Sequence, residues 1–343
     1  MHWDAFCAIC GSTFAYSFTL PISFDDNSKL SYSKQVIGNS DLQWLSKLRA
    51  LGYNASSTTE RKSFITGPGQ YEDQGMIGAD AGKDPNFPLD DEGVMPTLFA
   101  YVNPGCPGAQ VVFPFHEVCY DKILRRCFKN EVINTDVLHA VFEEKGAGAW
   151  NCLGLDYGSP QPPCGNYWEC IRGQEVLVMH PTKIPELMKP PYRTIKAFFS
   201  WGKKADVESQ HSHDPFQNLP NELRQKILNL LPVQCVLALK AASFSMHVCP
   251  DISLDQRLEA DMPWLWEMYL EGVDLVKSQA AEGEFSKALT LMEKDSLYTE
   301  GKCDYIPGLV NRRRIWGVCE EIKRLYYEKL AEVGGSQPKA RQT

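Results

Sequence analysis

Two pairs of residues, far apart in a chain of 343, have the types and spacing to hold a metal ion. Cys7-Ala-Ile-Cys10-Gly11 has the form of a tight turn that presents two thiolates to one ion. A hundred residues on, in Phe115-His116-Glu117-Val118-Cys119, His116 and Cys119 stand three apart. On the first turn of a helix, residues three apart share a face and both can point at one ion. Thiolate sulfur and imidazole nitrogen suit tetrahedral zinc. Four protein ligands leave no open position for a water, so a zinc held by Cys7, Cys10, His116 and Cys119 is expected to be structural. The same residues admit another arrangement, a turn of buried free thiols with His116 hydrogen-bonded as a helix cap. Cys152, Cys164 and Cys170 lack such short spacings, and no second metal site is expected. The chain has no His-Glu-x-x-His, Gly-x-Ser-x-Gly, Walker loop or dinucleotide fingerprint. Gly67-Pro68-Gly69 and Gly146-Ala147-Gly148 lack the remainder of a phosphate cradle and read as turns. No catalytic residue is assigned, and the protein is not expected to be an enzyme.

The elements that must position these ligands follow from apolar spacing. A short β-rich run, Val111 to Phe115, leads into an amphipathic helix with Tyr120, Ile123, Leu124, Cys127 and Phe128 on its apolar side. A knuckle, an extended segment and a helix whose first turn supplies the second ligand pair resemble a treble-clef zinc finger. Asp41 to Tyr53 is expected as a short helix, with Leu42, Trp44, Leu45, Leu48 and Leu51 as its apolar set. Residues 67–93 hold six glycines and seven acidic residues against Lys83 alone, a composition expected of a flexible acidic loop. A helix is expected from Thr135 to Glu144, capped at Asn134 or Thr135 and stopped at Gly146. Packed irregular loops are expected from Ala149 to Trp168, a strand over Glu175 to Met179, and a brief helix over Ile184 to Met188.

Residues 214–249 read as two short helices. Pro220 suits a helix start, and Glu222 lies in the first turn, where the helix dipole favours an acid. Leu219, Leu223, Ile227, Leu230 and Leu231 form one stripe, and Pro232 ends the helix. The next stretch, Val233 to Phe244, is apolar nearly all round, so something must cover it on more than one side. A unit of about 40 residues seldom buries enough surface to do so alone. Pro215-Phe216, Leu219-Pro220, Glu222-Leu223, Ile227-Leu228, Leu231-Pro232, Leu237-x-Leu239 and Ala242-Ser243 resemble the F-box, the adaptor-docking motif of cullin-based ubiquitin ligases, in order and spacing. Similar Cys-x-x-Cys-Gly and Pro-Phe-His-x-x-Cys elements occur in a group of fungal F-box proteins, which the chain resembles along most of its length. Where many F-boxes carry an aromatic after the Ala-Ser pair, this chain has Ser245, Met246 and His247. The resemblance implies a substrate receptor that docks a Skp-family adaptor, and through it a cullin ligase. The implied adaptor contacts are Phe216, Leu219, Pro220, Leu223, Ile227, Leu231, Leu237 and Leu239, with an unidentified protein substrate held by the rest of the chain. The alternative is a zinc-containing interaction or structural protein whose helical hairpin packs intramolecularly and recruits no ligase.

After Cys249 the pattern is helical. Leu254 to Val273 is interrupted at Pro263, and a longer helix runs from about Leu309 to Val333 with Ile315, Cys319, Ile322, Leu325, Tyr326 and Leu330 as its stripe. Arg312, Arg313 and Arg314 on that helix are expected to pair with acids of a neighbouring helix or to face water. The expected fold class is an α+β amino-terminal region with a treble-clef-like zinc unit, then a mainly α-helical F-box and carboxy-terminal helices. The expected division is 1–199 for the zinc-containing domain, 200–213 for a linker with His211 and His213, 214–255 for the F-box, 256–333 for the carboxy-terminal helices and 334–343 for a disordered tail. No repeat of 20 to 50 residues is visible, which excludes the usual propeller and leucine-rich platforms. With 35 basic residues against 43 acidic, no nucleic-acid partner is expected. No apolar run reaches membrane-spanning length, so no membrane partner is expected and the protein is read as intracellular, cytoplasmic or nuclear. Its twelve cysteines are then thiols or metal ligands before they are disulfides.

Overall fold

The strand that ends at His116 belongs to a six-stranded sheet in a computed structural model of the chain. The described residues are 4–14, 20–25, 29–38, 40–72, 74–89, 92–102, 105, 108–147, 150–163, 165–188, 214–249, 254–268, 279–302 and 304–335. They divide into two units. One comprises the chain up to Lys183 with Tyr298–Gly301 and everything from Pro307, and the other comprises Ile184–Leu297 with Lys302–Ile306. The sequence reading set 256–333 apart as one region, whereas the long last helix falls in the first unit, for reasons given by its arginines below. The expected linker at 200–213 lies outside the described residues, as do Cys164 and residues 336–343 of the expected tail.

In the first unit, a two-residue parallel pair, β1 (Ile22–Ser23) and β2 (Tyr32–Ser33), precedes the sheet. The sheet is built from β3 (Leu48–Tyr53), β4 (Ser63–Ile65), β5 (Gly69–Tyr71), β6 (Met76–Ala79), β7 (Thr97–Ala100) and β8 (Ala109–His116), in the order β4-β3-β5-β6-β7-β8. An added antiparallel pairing of β3 with β8, Leu48 opposite His116 through Gly52 opposite Val112, closes the sheet on itself. Two expectations are corrected here. The stretch from Asp41 is not a helix to Tyr53: a single tight turn, Gln43–Ser46, gives way to β3. β3 has strands on both edges and buries Leu48, Ala50 and Leu51, a short apolar set whose spacing fits a helix as well as a strand. The span 67–93 is not simply a loop, because it contributes β5 and β6. A Cβ on Gly69 would lie 2.5 Å from the Gly78 carbonyl oxygen, so glycine there permits close strand approach.

β8 runs into helix α1, wound as a π-helix over Cys119–Leu124 and as an α-helix over Arg125–Cys127. Helix α2 (Thr135–Gly146) starts where expected, with the Asn134 side chain accepting from the Asp136 and Val137 amides. Irregular chain follows through Trp168. The expected strand at Glu175 is instead a 3-10 turn, Glu175–Val178, whose neighbourhood offers its carbonyls to side chains: Trp44 Nε1 donates to Val178 O and Ser12 Oγ to Leu177 O.

The second unit is helical: α3 (Asn221–Leu230), α4 (Val233–Ala242), α5 (Phe244–His247), α6 (Leu254–Asp261) and α7 (Gln279–Asp295). Leu228, Val236, Met246 and Cys249 form a buried core to which Phe216, Ile227, Leu231 and Leu239 add. Arg257 closes the end of α3 by donating to Leu228 O and Asn229 Oδ1. The cover that α4 requires is supplied by α7, with Gln234 Nε2 donating to Glu293 at 2.5 Å and Ser286 Oγ to Gln234 O at 2.6 Å. The last helix, α8 (Pro307–Gly335), packs in the first unit against α1, α2 and the Glu175–Val178 turn.

Candidate functional site

The knuckle is a hairpin closed by a bridge between Phe6 and Thr13. The Cys7 amide donates to Ser12 O, the Gly11 amide to Cys7 O, and the Ala8 amide to Pro114 O, which fastens the knuckle to β8. Gly11 takes a φ of 70°, and a Cβ there would sit 2.8 Å from the ring of Tyr157, so the turn requires glycine on both grounds. Because β8 ends at His116 and α1 winds from Cys119, a strand end and the first turn of a helix together deliver the second pair to the knuckle.

Cys7, Cys10, His116 and Cys119 are all buried, and their ligating atoms lie within 4.8 Å of one another. His116 Nδ1 stands 3.3 Å from Cys10 Sγ, while Nε2 stands 3.1 Å from the Thr13 carbonyl oxygen. A carbonyl can only accept, so Nε2 carries the proton toward it and Nδ1 is the atom presented to the sulfurs, the arrangement a metal-ligating imidazole needs. Cys7 Sγ accepts from the Cys10 amide at 3.4 Å and from the His116 amide at 3.3 Å. The four residues therefore fit a metal ion. His116 does not cap α1; both of its nitrogens are committed to the knuckle. Among the described residues no other group of His, Cys, Asp and Glu has this geometry.

The electrostatics of the metal-free cluster point the same way. Burial opposes a charge on His116, but the Cys7 and Cys10 sulfurs outweigh it and raise the imidazole to about 10. For Cys10, burial is again the largest single influence and opposes ionisation, yet hydrogen bonds from Cys119 and Cys7 and the charge of His116 hold its pKa well below that of a free thiol. Burial, together with Cys10 and Cys7, pushes Cys119 up. Without the ion, an ionised Cys10 sulfur thus faces a protonated His116 imidazole, and a cation would take the place of that proton.

Two of the three arginines of α8, Arg312 and Arg314, lie in the interior. Neither of them faces water. Arg314 donates to Cys10 O at 2.8 Å, Tyr157 O at 2.9 Å and Asn311 Oδ1 at 2.9 Å. Arg312 donates to Pro181 O at 2.7 Å. Fixed backbone carbonyls satisfy the buried cations, so α8 is bolted to the knuckle and belongs to the first unit.

The residues implied for adaptor docking separate into two sets. Phe216, Ile227, Leu231 and Leu239 are half-buried against the core of the second unit, and Leu237 is buried at 3% exposure, so α4 does not offer its apolar surface outward. Leu219 is half-buried, while Pro220 and Leu223 are exposed, Leu223 at 45%. Leu230 at 84%, Phe244 at 47% and Val248 at 54% extend the exposed apolar set. Leu230 was legible as part of the α3 stripe, whereas the exposure of Phe244 and Val248 depends on the short α5. No described helix is long and apolar enough to cross a membrane. A scan of protein-family models, a search of curated proteins and a search of solved structures each found no match.

Proposed function

We propose that the chain is a non-enzymatic substrate receptor. Its second unit docks a Skp-family adaptor of a cullin-based ubiquitin ligase, and its first unit, built around one zinc ion, holds a protein target. The observation that carries the docking reading is the exposure of Leu223 and Leu230 on α3, seven residues apart and hence on one face, within a helical pair whose sequence resembles the F-box. Apolar side chains of this size left in water favour a partner groove, and a few such anchors dominate helix recognition. Zinc is favoured for the metal because three thiolates and an imidazole form a closed tetrahedral set of borderline-soft donors.

The packing of α4 on α7 favours a second reading, in which the helical pair is satisfied within the chain and recruits nothing. Capture of a purified Skp-family adaptor separates the two. The wild-type chain retains it at one-to-one stoichiometry, and Leu223→Glu with Leu230→Glu abolishes capture while circular dichroism stays unchanged. Equal capture by the variant, or none by the wild type, removes the receptor reading in favour of the second.

A further inference from the structure

Glu117 and Val118, the two residues between His116 and Cys119, line an open pocket of about 840 Å³. Trp44, whose ring centroid lies 4.6 Å from that of His116, lines it too. The volume is that of a small-ligand site, but the lining is charged where such sites are mostly apolar. Lys47, Arg49, Lys122, Arg125 and Lys183 contribute five cations. Asp41, Glu117 and Asp121 contribute three carboxylates, leaving an excess of two positive charges in a chain of net charge −8.

Two of the carboxylates are engaged. Asp41 meets Lys183 at 2.6 Å, and Glu117 meets Arg49 through a single contact of 3.3 Å that leaves most of the guanidinium fork available. Lys47, Lys122 and Arg125 are exposed and form no ion pair among the described residues. His180 adds a donor and no charge. Its Nδ1 accepts from the Thr182 and Lys183 amides, both at 3.1 Å, which leaves the proton on Nε2, and burial with the nearby Lys183 charge holds its pKa down at about 4.

We propose that this pocket binds a phosphomonoester dianion. Such a group carries about −1.5 to −2 charges at neutral pH and three strong acceptor oxygens, which matches the excess charge and the donor set. A single carboxylate supplies half the charge. A nucleic-acid strand needs an extended basic track, whereas this is one pocket on an acidic chain. The site goes beyond adaptor docking and stands whether or not the adaptor binds.

The test is calorimetric titration of the full metal-loaded chain with N-acetyl-phosphoserine amide, inorganic phosphate and N-acetyl-glutamate amide. The phosphate probes are expected to bind. Lys122→Ala with Arg125→Ala weakens them by about tenfold or more, Lys226→Ala in the second unit leaves them unchanged, and capped glutamate binds about tenfold more weakly than phosphoserine. Tighter binding of capped phosphoserine than of inorganic phosphate assigns the site to a modified side chain, and the reverse assigns it to a free phosphate. Three results overturn the proposal: no heat from either phosphate probe up to about 10 mM, equal binding of capped glutamate, or undiminished binding by a Lys122→Ala, Arg125→Ala protein that retains its circular dichroism.

Discussion

At the scale of residues, the four clustered side chains that fit a metal ion were legible because they form two short, chemically specific spacings. What the sequence did not announce was their support. Thr13 orients His116 through a backbone carbonyl, and Arg314 holds Cys10 through another, and carbonyls carry no residue identity to recognise. The same blindness explains Arg312 and Arg314, which read as surface cations because backbone acceptors such as Pro181 O and Tyr157 O lie more than a hundred residues away in the chain. With zinc as the ion, emission spectroscopy on the purified chain should find about one equivalent. Cys7→Ser with Cys10→Ser should remove it, and full metal content in that variant would refute the ligand set. Uptake by metal-free protein should release protons, since His116 holds one up to about pH 10 without the ion.

At the scale of elements, helices bounded by caps or prolines held, while short apolar sets without such bounds did not. α2, α3, α4 and α8 begin and end near their sequence signals, which are caps, prolines and a sustained stripe. β3 failed as a helix because Leu42, Trp44, Leu45, Leu48 and Leu51 satisfy helical spacing, while the pairing that decides the matter is supplied by β4 and β8. β5 and β6 read as loop in the sequence because glycines that allow strands to approach look the same there as glycines that allow a chain to bend. The helical pair has its own fastening. Asp214 accepts from the Phe216 amide, the Ser245 amide and Ser243 Oγ, so one carboxylate joins the start of the segment to the start of α5. What burial it has opposes ionisation, but the Ser245 and Phe216 amides prevail and hold its pKa down to about 2. A depressed carboxylate stabilises above its unfolded pKa, so its contribution is complete above about pH 4 and is lost as the pH falls toward about 2. Asp214→Ala should cost about 1 kcal/mol at neutral pH and remove that part of the acid sensitivity. Thermal melts of both proteins between pH 2 and pH 7, on the order of the range where carboxylates titrate, check it. A melting curve unchanged by the substitution would contradict the fastening.

At the scale of the whole molecule, the chain order and the contact order differ. The last helix returns to the first unit, so the knuckle is where the clustered Cys7, Cys10, His116 and Cys119 and the Arg314 side chain from the end of the chain meet. One ion joining Cys7 and Cys10 to His116 and Cys119 closes a loop of about a hundred residues, and its removal frees the knuckle from β8 and α1 together. The helices proposed to recruit a ligase lie in the other unit. Hydrogen exchange with and without a chelator tests that division of labour most directly. The account predicts faster exchange at the knuckle amides, at the end of β8, over Cys119–Leu124 and around Arg314, with Asn221–Leu230 and Val233–Ala242 as protected as before. Loss of protection in both units together, or in neither, would contradict it.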